Sequence, residues 1–153
     1  MINIRPAILE DLDTVRQLND KIFIKNSEYD EDMVPHFALT AEGEKYFRES
    51  IETKEGCFFI AEVEGEVVGY VNGAKLDLPY RKSKYFEIQN LGVIPEREKQ
   101  GIGSMLLEKA SVWAKNNGFE KIYLNSYIKN SEAVNFYRSK GFEDIDVCLE
   151  KKI

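Results

Sequence analysis

Apolar positions in this chain recur at two spacings, and the spacing changes from one segment to the next. Ile2 to Arg5 reads as a short strand that stops at Pro6. Leu12, Val15, Leu18 and Ile22 fall three or four apart, which predicts a helix, with Glu10, Asp11 and Asp13 near its positive N-terminal end. Residues 25–40 lose this periodicity and read as a loop or broken helix. Thr40 is placed to cap a second helix running to about Lys54, with Tyr46, Phe47, Ser50 and Ile51 facing inward and Gly56 ending it. Cys57–Val63 and Glu66–Ala74 predict a hairpin across Glu64-Gly65, with bulges or close contacts at Gly69 and Gly73. A polar link over Asp77–Lys84 leads to a strand over Tyr85–Val93. There follow a helix from about Gly103 to Asn117 stopped by Gly118, a strand over Lys121–Ile128, a short helix over Ser131–Lys140 ended by Gly141, and a last strand over Phe142–Leu149.

The order β-α-α-β-β-β-α-β-α-β describes one α/β (mixed α+β) domain over residues 1–153, and the strand–helix–strand unit within 85–128 is a parallel crossover. A chain of 153 residues, 43% hydrophobic and 31% charged, is long enough to bury a real core. The formal net charge of −6 argues against a nucleic-acid backbone as partner. No apolar run has bilayer length, and the opening Met-Ile-Asn-Ile-Arg-Pro is unlike a signal peptide, so a cytoplasmic protein without a membrane partner is expected. Cys57 and Cys148 form no metal-ligand spacing and no disulfide framework; both read as buried strand residues, and no metal is expected.

Candidate chemistry gathers between Glu87 and Tyr137. Gln100-Gly-Ile-Gly-Ser104 opens a helix, and free amides at a helix start form a seat for phosphate. The motif is not a dinucleotide fingerprint, because Leu106 occupies the third glycine position, and it lacks the Gly-Lys-Ser/Thr of a P-loop. Gly92 interrupts the branched run Leu91-Gly-Val93 and suggests a bulge. Further on stands Asn130-Ser-Glu-Ala-Val-Asn-Phe-Tyr137-Arg-Ser-Lys-Gly-Phe142.

Together, residues 85–142 resemble the acetyl-CoA-binding core of the GNAT superfamily of N-acyltransferases, and Ile4-Arg-Pro-Ala with Asp11-Leu extends the likeness to the start. The resemblance implies a central, mostly antiparallel sheet with one parallel strand pair splayed around the cofactor, flanked by about four helices. It also implies roles. Leu91, Gly92 and Val93 would hydrogen-bond the pantetheine arm as an added strand, and the Lys99, Gln100, Gly101, Ile102, Gly103 and Ser104 amides would hold the pyrophosphate. Asn130 would bond the cofactor from the far side, and Tyr137 would stand near the thioester sulfur. Glu98 departs from the pattern, which usually carries Arg or Gln there.

Acetyl transfer to an amine needs a base, a donor for the carbonyl oxygen and a proton for the departing thiolate. Glu87 is the candidate base through water, a backbone N–H around Leu91 or Gly92 the donor, and Tyr137 the acid. With Gly141 in the left-handed region, Phe142 would pack back on Tyr137 and aim its hydroxyl. Asn125 is limited to orienting a substrate, His36 reads as incidental, and the acidic run Glu28 to Asp32 reads as a solvated loop. Tyr29, Tyr80 and Tyr85 are placed to wall an acceptor pocket. The expected function is acetyl-CoA-dependent N-acetylation of an amine acceptor, with a homodimer compatible with the family; the alternative is a non-catalytic acyl-CoA-binding module.

Overall fold

A computed structural model describes residues 1–153. One sheet carries five strands in chain order: β1 (Ile2–Pro6), β2 (Gly56–Val63), β3 (Glu66–Leu76), β4 (Tyr85–Val93) and β5 (Lys121–Tyr123). The first four pair antiparallel, and β4 pairs with β5 in parallel. Helices α1 (Leu12–Phe23) and α2 (Ala41–Glu52) precede the hairpin, α3 (Ile102–Asn116) makes the crossover, and α4 (Ser131–Ser139) follows β5. No helix is long and apolar enough to cross a membrane.

The central strands are covered on both faces, which is why β2 and β3 are apolar almost without alternation. On one face Phe58 and Tyr70 stack at 5.3 Å, and Phe47 of α2 and Phe23 of α1 meet Tyr70 edge-on at 6.3 and 6.4 Å. On the other, Phe86 packs against Trp113 of α3 and Phe119, both at 5.5 Å. Fully burying each such ring is worth about 1.5–3 kcal/mol. Helix α2 starts as its sequence implies, with Thr40 Oγ1 accepting the Gly43 N–H at 3.1 Å. Arg5 knits the N-terminus into the sheet: its guanidinium forks onto Asp11 at 2.8 and 2.9 Å and onto Glu62 of β2 at 2.8 and 3.0 Å. That cation holds the Asp11 carboxyl below the usual range.

Two expected strands differ. β5 ends at Tyr123 rather than Ile128, and Phe142–Leu149 forms no strand. Beyond the Phe142 N–H, which donates to Tyr137 O at 3.1 Å, the main chain makes no hydrogen bond to the rest of the protein. Ile145, Val147 and Leu149 are exposed, and so is Cys148, contrary to its reading as a buried residue. Period-two patterning makes a segment fit for a sheet, but a strand exists only where a neighbour supplies the ladder.

The bulges also fall elsewhere than at Gly92. β3 bulges at Val68, next to Gly69, and β4 bulges at Gln89, where Asn72 opposes Asn90 while Gly73 opposes Ile88. Gly92 instead lies under α1, and a Cβ there would stand 2.5 Å from Ile22 Cγ2 and 3.0 Å from the Phe23 ring. Gly92→Ala should therefore cost about 1–3 kcal/mol through overpacking. Denaturant melts should show part of that loss recovered in a Gly92→Ala, Ile22→Ala double variant; strictly additive losses would refute the steric account.

Candidate active site

Strand β4 leaves the sheet at Ile94, whose N–H donates to Val68 O at 2.8 Å, and turns through Pro95–Arg97 into the glycine loop. Lys99 and Gly101 both take left-handed conformations, with φ of 59° and 83°. Gly101 is therefore required for its backbone rather than for space, since nothing lies within 4 Å of where its Cβ would stand. The six consecutive N–H groups from Lys99 to Ser104 find no acceptor anywhere in the protein, and they sit at the positive end of the fifteen-residue α3. Such a run of free donors favours an anion with several oxygens, as a pyrophosphate has. Glu98 is exposed and makes no ion pair.

Beside this loop the sheet is open. β4 and β5 pair only from Tyr85↔Lys121 to Glu87↔Tyr123, and beyond Glu87 the far edge of β4 has no strand partner. Hydrogen bonding alternates along a strand. Because Ile94 bonds to β3, Gly92 faces its groups to Tyr70, while Leu91 and Val93 present theirs to the open side. An extended ligand can bond there as an added strand. Asn130 caps α4, its Oδ1 accepting the Ala133 N–H at 3.3 Å, which leaves its amide N–H groups free. Helix α4 reaches α3 through Phe136, whose ring lies 3.9 Å from a Cβ built on Gly103.

Two titratable groups are tuned by burial. Tyr137 is clasped edge-on between Phe136 at 5.3 Å and Phe142 at 5.6 Å. Gly141 at φ 92° turns Phe142 back onto it, as the glycine's position implies. Its hydroxyl has no partner in the protein, and burial pushes it up to about 12, so it is protonated at neutral pH. Glu87 lies on the face covered by α1 and α2, half-buried; burial raises its carboxyl above the usual range, and the Gln89 amide partly offsets that rise.

The model of the acetyltransferase (GNAT) family matches residues 16–142. The chain belongs to that family. An N-alpha-acetyltransferase of Sulfurisphaera tokodaii is 30% identical over 94% of this chain and 81% of its own length. A structure described as a putative acetyl transferase from Pyrococcus furiosus superposes with a TM-score of 0.81 at 26% identity, each chain fully covered. AAC(6')-Iy, solved in complex with the bisubstrate analogue CoA-S-monomethyl-acetylneamine, shares the fold at a TM-score of 0.76 and 16% identity over 100% of this chain and 99% of its own. The protein is an N-acetyltransferase, with the GNAT fold splayed at β4 and β5.

The other sequence candidates have the following surroundings in this GNAT fold. His36 pairs through Nδ1 with Asp20 at 2.8 Å and borders a cavity of about 220 Å³ with Asn19, Phe23 and Met33. Asn125 is exposed, reached only by the Tyr123 hydroxyl at 3.4 Å. The acidic run is more than a solvated loop: Asp30 accepts the Tyr127 hydroxyl at 2.9 Å, and the Tyr29 and Tyr127 rings lie 6.0 Å apart, joining the α1–α2 segment to the chain after β5. Tyr85 is 5% exposed and Tyr80 is solvent-facing, and neither borders the cavity beside His36.

Sequence reasoning missed a polar cluster beside Glu87. Tyr46 of α2, Asn72 of β3 and the bulge residues Gln89 and Asn90 form one hydrogen-bonded group. The available signal was Asn72, a lone amide in the apolar run Val67–Ala74, which needs partners if it faces a core.

Cys57 is buried and its thiol is pushed up to about 12, which makes it a poor nucleophile. Iodoacetamide should therefore label Cys148 in the folded protein and spare Cys57, as read by mass spectrometry of digested peptides. Protection of Cys148 would contradict its exposure.

Proposed function

We propose that this protein transfers the acetyl group of acetyl-CoA to a primary amine by direct attack within a ternary complex. The observation that carries the reading is the opening between β4 and β5, with free loop amides at one end and Glu87 at the other; Tyr137 on α4, buried and protonated, is the group the reading assigns to its far side. The loop amides suit the pyrophosphate, the open edge at Leu91 and Val93 suits the amide-bearing arm, and the Asn130 side chain closes the far side.

The chemistry then divides among named groups. The amine nitrogen forms a bond to the thioester carbonyl carbon, and the carbon–sulfur bond breaks. Charge developing on the carbonyl oxygen is met by the Leu91 N–H. The proton lost by nitrogen passes through water to Glu87, whose raised carboxyl is a stronger base than an ordinary glutamate. The departing thiolate takes the Tyr137 proton, and both side chains recover by exchange with solvent.

The likeness to the Sulfurisphaera tokodaii N-alpha-acetyltransferase puts peptide N-terminal amines first among acceptors to try, ahead of aminoglycosides and polyamines. Thiol release from acetyl-CoA should depend on the acceptor; binding of acetyl-CoA without such release would favour a non-catalytic module instead.

Two variants probe the roles. Tyr137→Phe should keep the fold and cofactor affinity while lowering kcat by about 10²-fold; unchanged turnover would remove Tyr137 from the acid role. Glu87 has the opposite sign of pH effect. Its carboxyl acts only when ionised, and its value is raised, so log kcat/KM should steepen from a slope of about one to about two below a break lying above the ordinary glutamate value. The first slope comes from the amine itself. Glu87→Gln should abolish the second break, and a profile that keeps it would assign the base elsewhere.

A further inference from the structure

The bulge at Gln89 decides which side chains share a face with Glu87. In a regular strand Glu87 and Asn90 would point to opposite faces. The extra residue puts both on the side of α1 and α2, since Glu87 opposes Ala74 and Asn90 opposes Asn72, two residues apart on β3. There Tyr46 descends from α2 and organises what it meets.

The hydrogen bonds of this cluster tie the orientations of its amides together. Tyr46 Oη accepts from Asn72 Nδ2 at 3.1 Å and from Asn90 Nδ2 at 2.9 Å, so its single O–H goes to Gln89 Oε1 at 3.0 Å. Asn90 Nδ2 also donates to Asn72 Oδ1 at 3.0 Å, and Asn72 Nδ2 also donates to Gln89 Oε1 at 3.3 Å. Turning over any one amide would set two donors or two acceptors against each other. Asn72 is 1% exposed, so it has no water to fall back on.

Two capacities remain after these bonds, and both point away from the cluster. Gln89 has its N–H groups free of the cluster, and its amide holds the Glu87 carboxyl down against the rise that burial causes. Asn90 has Oδ1 free on the half-buried face beside Glu87. We infer that Tyr46 is a positioning residue for acetyl transfer, holding Gln89 with an N–H toward Glu87 and Asn90 with its carbonyl oxygen toward the incoming amine. This rests on the reading of Glu87 as the base. The chemistry that fits such a wall is an acceptor nitrogen with at least two N–H donors, one for Glu87 and one for Asn90. An alcohol offers only one.

The groups around Glu87 are few. α2 brings Tyr46, β5 brings Tyr123 alongside in register, and β3 brings Ala74. No charged side chain contributes to the Glu87 equilibrium. Burial raises it and Gln89 lowers it, so freeing Gln89 should move the lower break of the pH profile upward.

Tyr46→Phe removes one oxygen and keeps the ring against Phe47, 4.9 Å away. We expect the coenzyme A affinity, measured by calorimetry, to stay put, the acceptor KM to rise about tenfold, the worth of one hydrogen bond, and the lower break to move up. Gln89→Leu, at an exposed position, should move the break and leave the acceptor KM near its original value. Tyr46→Phe with unchanged acceptor KM and unchanged break overturns the inference, as does an equal loss of coenzyme A and acceptor affinity, which would mark a merely structural role. If the unaltered protein acetylates no amine, the proposed activity falls and this inference with it; if it does so and the variants behave alike, this inference alone falls.

Discussion

β4 gives up one of its two edges halfway along its length, and the rest of the site follows from that. Main-chain N–H and C=O groups removed from water need partners, and beyond Glu87 those on the β5 side have none within the sheet. The fold prevents closure from two directions. β5 is paired over only three residues, and α3 begins with its free amides at the end of β4 rather than beside its middle. A groove lined by unpaired backbone and ending in a positive helix terminus selects a long ligand with amide groups at one end and phosphate at the other.

The two faces of β4 serve different ends. The side chains toward α3 are apolar, and Val93 with Gly69 brings the sheet close enough for Leu106 to seat against it. Toward α1 and α2 the same strand carries Glu87, Asn90 and the side-chain-free Gly92. Core packing and the proposed chemistry are thus kept on opposite sides of one strand. The groove proposed for the cofactor lies at its edge, between them.

Much of this was legible in the sequence because it depends on local rules. The Thr40 cap, the stop at Gly118 and the return of Phe142 onto Tyr137 past the left-handed Gly141 each follow from residue type at a fixed offset. What escaped depends on pairing. Nothing in Glu87–Val93 says that Gln89 is the extra residue, because the partner strand decides the register. Gly92 looked like the irregular position, yet its role is set by Ile22, seventy residues earlier. The Tyr46 cluster joins three elements, and only Asn72 hinted at it. The segment after Phe142 has the pattern of a strand and no edge to join, a fact that alternation alone does not contain.

The bulge at Gln89 carries a consequence for how this gene tolerates change. Side chains on a strand alternate, so loss of one residue from a regular stretch inverts every position on one side of the gap, whereas loss of a bulge's extra residue does not. Gln89 is the extra residue of its bulge, so excising it would leave Asn90 opposite Asn72 and Ile88 opposite Gly73, with Glu87 still toward α2 and Phe86 still against Trp113. An in-frame deletion of this one exposed glutamine would therefore spare the face of every other residue of β4. Replacement of the same residue touches only its own contacts.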